Sequence, residues 1–354
     1  MTRYRPVPLT DTRPSVSVVI PCYNYGRYLA DAVTSVRGQP AVETQVIIVD
    51  DASPDGSAEV AAGLAAADPG VTLIRHEVNQ GHIATFNEGL AAAEGDYVVL
   101  LSADDLLTPG ALARACALME AHPGVGFVYG HPLEFNDVPP PSVDTVRSWS
   151  VWSGREWFSR RCQAARNCIF SPEVVMRTSV LRAIGDYNAE LPHSADFELW
   201  LRAAVAADVG RVNGPSQAYY RIHDQSMQRT VHAGHLLDFD QNRRAFDNVL
   251  AGPAGRWDDR DALWHAAHRG LARLALDAGC RALEEGGSPD SVDDYVAFAL
   301  EVCPDARRLA RYRGLERRRR SATRTGAHSS FVVKRAVRDL SSRVRWRRWR
   351  MSGL

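Results

Sequence analysis

From residue 16 to residue 129 the chain alternates between two hydrophobic rhythms. Short β-branched runs, Val16–Ile20, Gln45–Val49, Val71–Ile74, Tyr97–Leu101 and Val125–Tyr129, are apolar without alternation, which predicts strands covered on both faces. Between them Tyr28–Arg37, Ser57–Ala67, Ala84–Ala93 and Pro109–Ala121 repeat apolar residues at helical spacing. Thr108 is placed to cap the last of these helices, with Pro109 at its first position. Strand and helix in alternation predict right-handed crossovers and an α/β fold with a mostly parallel sheet flanked by helices. Ligands of such sheets bind beyond the carboxyl ends of the strands. The polar residues just past each strand are therefore where chemistry is expected.

The pattern loosens after Asp137. Pro139-Pro140-Pro141 interrupts it, and Trp149, Trp152 and Trp157 crowd together. A strand at Val174–Arg177, a helix Ser179–Ile184, a turn at Gly185-Asp186 and a helix starting near Asp196 are expected next, then a strand Ala218–Ile222 before His223. From about residue 232 the chain reads as helical, and it contains no internal repeat. The predicted division is a lead over 1–14, an α/β domain over 15–231, a helical region over 232–325 and a basic tail over 326–354.

At 354 residues and 45% hydrophobic content there is room for one large α/β domain and an appendage. No apolar run approaches the roughly 18 residues that span a bilayer, and the polar, proline-punctuated stretch Met1 to Pro14 lacks the core of a secretory signal. The expected address is the cytoplasm. The six cysteines form no CxxC pair and no zinc-spaced set with histidine, so they are expected as reduced, packed thiols. A net charge of zero hides an asymmetry: from Arg307 onward 17 Arg or Lys face two acids, Glu316 and Asp339, so the chain is an acidic body with a basic end.

Four predicted strand ends carry polar clusters. Pro21-Cys22-Tyr23-Asn24 stops the first strand and leaves backbone amides and an aromatic ring at its tip. In Asp50-Asp51-Ala52-Ser53-Pro54-Asp55-Gly56-Ser57, the last three residues suit a helix cap. Asp50 and Asp51 come too early for that and can accept hydrogen bonds from a base imide or from ribose hydroxyls. Ser102-Ala103-Asp104-Asp105 sets two carboxylates side by side, a repulsion that a divalent cation such as Mg²⁺ or Mn²⁺, held jointly with substrate phosphates, would offset. Helix capping is the plainer reading, but Thr108-Pro109 already fills that role. In His193-Ser194-Ala195-Asp196-Phe197-Glu198, Asp196 suits either a helix cap or a general base fixed at a helix start. His223 follows a strand, where a closing loop can bring it to a metal or a phosphate.

Taken together these stretches resemble family 2 glycosyltransferases, the GT-A fold enzymes that use nucleotide sugars. Ser17 to Asn24 resembles the family's opening strand. Ile48 to Ser57 is similar to its uracil-side segment, and Asn79-Gln80-Gly81, Asn87-Glu88-Gly89-Leu90 and Ala93 to Tyr97 are similar to the stretch leading to its metal motif. The likeness covers about residues 15 to 230. It implies that Asp51 bonds the base with Asp50 in support, that Pro21, Cys22, Tyr23, Asn24, Asn79 and Ser102 line the nucleotide-sugar pocket, and that Asp104, Asp105 and His223 serve the metal. Ser102 stands where the family often has a further aspartate, which alters a donor or ribose contact. Asp196 falls at the position of the catalytic base, preceded by Ala195 where a glutamate is frequent. The implied reaction is inverting transfer from a nucleoside-diphosphate sugar, a UDP-sugar first among them, to a glycan, lipid-linked or small-molecule hydroxyl in cell-surface polysaccharide or glycoconjugate synthesis.

The end of the chain, with Arg317 to Arg320 and a second basic run carrying Trp346 and Trp349, suits peripheral contact with an anionic membrane surface. No nucleic-acid partner is expected. Two other classes compete. A sugar nucleotidyltransferase would show a Gly-rich basic loop where Pro21-Cys22-Tyr23-Asn24 stands. A non-catalytic nucleotide-sugar-binding scaffold is suggested by Ser102 and Ala195.

Overall fold

The computed structural model of the chain describes residues 1–9, 13–223, 235–285 and 291–322. The basic tail predicted over 326–354 lies outside them. The described residues group into two compact units, one of Met1–Trp157 with Cys168–His223, the other of Phe158–Asn167 with the residues from 235 onward.

In chain order the first unit contains β1 (Thr2–Tyr4), β2 (Ser15–Cys22), α1 (Gly26–Arg37), β3 (Glu43–Asp50), α2 (Ser57–Ala67), β4 (Val71–Arg75), α3 (His82–Ala91), β5 (Tyr97–Leu100), β6 (Leu106–Leu107), α4 (Ala111–Ala121), β7 (Val125–Tyr129), β8 (Pro132–Phe135) and β9 (Ser148–Trp152). Helix α5 (Gly154–Ala164) follows, then a 3₁₀ turn Ser171–Glu173, β10 (Val175–Arg177), α6 (Thr178–Ile184), α7 (Ala195–Ala206), β11 (Asp208–Asn213) and β12 (Ala218–Arg221). The second unit is formed by α8 (His235–Ala251), α9 (Arg260–Glu285), α10 (Val292–Val302) and α11 (Ala310–Ala322).

A nine-stranded sheet runs β1-β9-β11-β7-β10-β5-β2-β3-β4. The predicted parallel block is present as β5-β2-β3-β4. Beyond it β10 is inserted antiparallel between β5 and β7, and the edge strand β1 pairs antiparallel with β9. A smaller sheet, β6-β12-β8, stands apart from the large one and joins Leu106-Leu107 to Ala218-Tyr219.

Strand β2 shows why these runs are uniformly apolar. Val16, Val18 and Ile20 join Leu29, Val33 and Val36 of α1 in one core cluster. Val19 faces the other way, where α3 presses on the sheet at Gly89: a Cβ there would stand 2.3 Å from Val19 Cγ1 and 2.9 Å from Val49 Cγ2. That glycine sets how deeply α3 lies, and hence where its N-terminus meets the end of β3.

Thr108 does not cap α4. The helix begins at Ala111 behind Gly110, whose φ of 74° only glycine adopts easily. Thr108 Oγ1 instead donates to Ser216 O at 2.6 Å and accepts from Arg114 Nη2 at 2.9 Å, so a tertiary partner has outcompeted the local cap. All six cysteines are free thiols, four of them buried. Among the described residues no helix is long and apolar enough to cross a membrane.

Candidate active site

The strand ends gather at the carboxyl edge of the parallel block. At β2, Asn24 takes a left-handed conformation (φ 62°) and its amide donates to Ser53 Oγ at 3.1 Å, while its buried Oδ1 has no partner. Tyr23 beside it is exposed. Cys22 is buried, which pushes its thiol up to about 11, so it lines the edge as a neutral group. Its carbonyl accepts the Asp51 amide at 3.0 Å, stitching β2 to β3.

The two aspartates after β3 have different surroundings. Asp50 is fully enclosed; Oδ2 accepts the Ser53 amide at 3.2 Å and Oδ1 has no partner. Asp51 accepts the amides of Gln80 at 2.7 Å and Gly81 at 3.0 Å, and its Oδ1 lies 2.7 Å from His76 Nδ1. Gly81 can present that amide because its φ is 86°. Burial raises the Asp51 carboxyl, but these donors outweigh it and hold the group below its usual range. Asn79 Nδ2 closes the loop on Asp51 O at 3.3 Å. Asp51 Oδ2, which accepts only the Gly81 amide, keeps a lone pair for a further donor, while the unpartnered Asp50 Oδ1 lies closed off beneath it.

After β5 the chain turns, with the Asp105 amide donating to Ser102 O at 3.0 Å. Asp104 Oδ2 and His223 Nε2 are 2.9 Å apart. Asp105 Oδ1 accepts the Arg221 amide at 2.8 Å, and Arg221 Nε donates to Asp104 O at 2.9 Å. Burial and the neighbouring Asp104 carboxylate push the Asp105 carboxyl well above its ordinary range. The His223 ring is flanked by Tyr25 and Tyr28, with ring centroids 5.5 and 5.6 Å away. The structure thus brings Asp104 and His223 together and commits one oxygen of Asp105 to the backbone of β12.

Among the described residues no group of three or more His, Cys, Asp or Glu side chains could enclose a metal ion. Carboxylate oxygen and imidazole nitrogen are nevertheless suitable ligands for Mn²⁺, and Mg²⁺ is commonly held by one or two carboxylates plus substrate phosphates and water. The residues fit a cation whose coordination is completed by a diphosphate.

Asp196 lies in the first turn of α7, behind the cap position held by Ser194. It is partly exposed and accepts the Ser171 hydroxyl. Burial raises its carboxyl, while Ser171, the Tyr187 hydroxyl and His82 favour the charged form; the net shift is upward. Glu198 does not reach the edge: both its oxygens bond Arg202 Nε, at 2.9 and 2.8 Å, and Arg202 ties down the carbonyls of Ile184, Gly185 and Asp186 just before Tyr187.

Tyr220 links the halves of the site by position: its ring is 5.0 Å from Phe170, next to Ser171, and the following residue, Arg221, bonds Asp105. Burial raises its phenol, and the Asp105, Asp104 and Asp196 carboxylates add to the rise. The start of α3 is a second link, since Gly81 bonds Asp51 and the next residue, His82, acts on Asp196.

Sequence reasoning did not single out His76, Glu88, Ser171, Tyr187 or Arg221. His76 directly follows β4, so the strand-end rule applied to that strand would have found it. Ser171 carries no such signal, because its role depends on a 3₁₀ turn meeting a helix 25 residues later.

The large sheet, with its parallel block flanked by helices and this carboxylate-bearing edge, is of the GT-A type seen in the solved structures below. Residues 17–184, just under half of the chain, match the sequence model described as "Glycosyl transferase family 2". An uncharacterized glycosyltransferase of Nostoc is 29% identical over 215 residues, 59% of this chain and 65% of that one, so the match spans just under two thirds of the relative's length. Among solved structures, Staphylococcus aureus TarS residues 1–349 in complex with UDP-GlcNAc aligns with a TM-score of 0.59 at 18% identity, covering 82% of this chain and 81% of that one. A mannosyltransferase of Pyrobaculum calidifontis, in complex with GDP-Man and Mn²⁺, aligns at 0.53 with 19% identity over 95% and 90%. At these identities the likeness is one of fold.

Proposed function

We propose that the chain moves a sugar from a nucleoside-diphosphate sugar to an acceptor hydroxyl with inversion at the anomeric carbon. The observation that carries this reading is Asp196: a partly exposed carboxylate with raised proton affinity that accepts the Ser171 hydroxyl, in the same compact unit as the Asp104–His223 pair. A general base works best when its proton affinity is lifted toward the working pH.

Asp51, with Asp50 beside it, accepts the imide of the base, and the Pro21–Asn24 tip supplies the pocket wall, with Tyr23 as its exposed ring. Asn79 fixes the loop over Asp51, and Ser102 provides a hydroxyl at the ribose side. Asp104 and His223, with Asp105 in support, would hold Mg²⁺ or Mn²⁺; when bound, the ion neutralises charge on the leaving diphosphate. Asp196 accepts the proton of the acceptor hydroxyl, whose oxygen attacks the anomeric carbon from the side opposite the departing nucleoside diphosphate. Ser171 holds the base in place and stabilises it once it is charged.

A UDP-sugar is the donor we favour, given the uracil-side resemblance and the UDP-GlcNAc held by TarS. A glycan or lipid-linked hydroxyl is the acceptor, and the basic C-terminal stretch suits contact with the inner face of a plasma membrane. Incubation with a panel of labelled nucleotide sugars and Mn²⁺ tests the reading. Transfer, or slow donor hydrolysis, is expected for at least one donor, with the α-linked donor sugar released or transferred as the β-anomer. Donor binding with neither reaction would favour a scaffold instead.

A further inference from the structure

The helical unit contains a cavity of about 610 Å³, a size ordinary for small-molecule sites. Trp264 of α9 lines it and is 36% exposed. The indole is nonetheless locked: Nε1 donates to Asp247 Oδ1 at 2.8 Å, and the ring stacks on His268 with centroids 3.7 Å apart and planes at 28°. His268 is fixed in turn, with Nε2 2.8 Å from the same Asp247 oxygen and Nδ1 3.1 Å from Val302 O. A large aromatic ring left in solvent yet held on one edge has already lost the freedom that ligand binding would otherwise remove.

The groups around the ring are mostly paired. Arg243 bonds Asp240 and Asp247, the latter at 3.4 Å, and Arg260 bonds Asp261 at 2.6 Å. Two guanidinium groups of the lining, Arg243 and Arg260, face three carboxylates, Asp247, Asp261 and Glu301. Such a lining, with one carboxylate in excess, disfavours a polyanion. It sets donors beside acceptors, which suits a hydroxyl, since each hydroxyl both donates and accepts.

We propose that this cavity binds a neutral saccharide unit, the apolar C–H face of a pyranose lying on the Trp264 indole and its hydroxyls bridging the Arg–Asp pairs. The site stands on its own geometry; only the corollary, that the sugar belongs to the acceptor glycan, rests on the transferase reading above.

Saturation-transfer NMR on the full chain, with UDP and Mn²⁺ present to occupy the donor site, tests the proposal using cellohexaose, chitohexaose, maltohexaose and mannohexaose as probes. At millimolar concentration, transfer to the pyranose C–H protons of at least one probe is expected. Affinity should fall about tenfold or more in Trp264→Ala, the loss of one aromatic contact of about 1.4 kcal/mol. Trp264→Phe keeps an aromatic face and should retain most of it. Arg260→Ala, at an exposed position, supplies a variant whose fold is not at risk and should also weaken binding. No transfer to any probe, or transfer unchanged in both Trp264→Ala and Arg260→Ala, would overturn the proposal. Failure of donor turnover with Trp264-dependent binding intact would sink the transferase reading alone.

Discussion

The imidazole of His76 donates through Nδ1 to the carboxylate of Asp51 across 2.7 Å, where both side chains are almost closed to solvent. Its other nitrogen lies 2.6 Å from Glu88 Oε2, so both ring nitrogens face acceptors and only the doubly protonated ring satisfies both. A cation under the end of β3 therefore orients Asp51 and fastens it to α3.

This arrangement makes stability depend on pH. Burial alone would lower the proton affinity of His76, but its bonds to Asp51 and Glu88 outweigh that and raise it above the ordinary 6.5. A raised value means that the contribution is fully present below about pH 6.5 and is lost as pH rises through the folded value. Asp51, lowered, behaves oppositely: its contribution is present above its ordinary 3.8 and is lost as pH falls through the folded value. The stability gap between wild type and His76→Gln should be widest between roughly pH 4 and 6.5 and should narrow at alkaline pH in thermal unfolding. A gap independent of pH would refute the charged ring.

Asp196→Asn should lower kcat by a factor on the order of 10²–10⁴, the usual scale of general-base catalysis, while donor affinity measured by calorimetry stays the same. Because the base acts when deprotonated, turnover should rise with pH through its raised proton affinity. Ser171 stabilises the charged carboxylate. Ser171→Ala should therefore move the acidic limb of the kcat profile to higher pH, and movement to lower pH would contradict the assigned role.

Removal of divalent cations with EDTA should abolish transfer, and Mn²⁺ should restore it. In Asp104→Ala or His223→Ala the Mn²⁺ concentration for half-maximal rate should rise about tenfold or more. An Asp104→Ala, Asp105→Ala double variant with an unaltered metal response would show that the cation is held elsewhere.

Gly89→Ala should destabilise the chain by about 1–3 kcal/mol, the usual cost of overpacking, because the added methyl meets Val19 and Val49. Val19→Ala should recover part of that loss in a double-mutant cycle read by denaturant unfolding. Full additivity would mean that α3 does not bear on β2 at this point.

The parallel block was legible because its central strands, β2, β3 and β5, are buried on both faces and their runs are almost wholly apolar. The strands β1, β6, β8, β9 and β11 were not foreseen. In β9, Ser148 and Ser150 alternate with Trp149 and Val151, and their hydroxyls accept from Asn213 Nδ2 of β11, a pairing invisible before the partner strand is known. Thr108 misled for a related reason, since a cap signal is local and its actual partner, Ser216, lies 108 residues away. The candidate site residues were found because the strand-end rule is topological. The hydroxyl and imidazole supports behind them depend on which elements come to rest against one another, which no spacing along the chain encodes.

Arg221 gives the order in which the molecule must be assembled. Its amide and guanidinium serve Asp105 and Asp104 from 116 and 117 residues further along the chain, and the guanidinium also lies over the rings of Tyr28 and Phe135. As the chain leaves the ribosome, the turn after β5 emerges long before the arginine that steadies it, so the paired carboxylates wait unsupported until β12 has been made. This corner of the candidate site is therefore synthesised well before it can be completed.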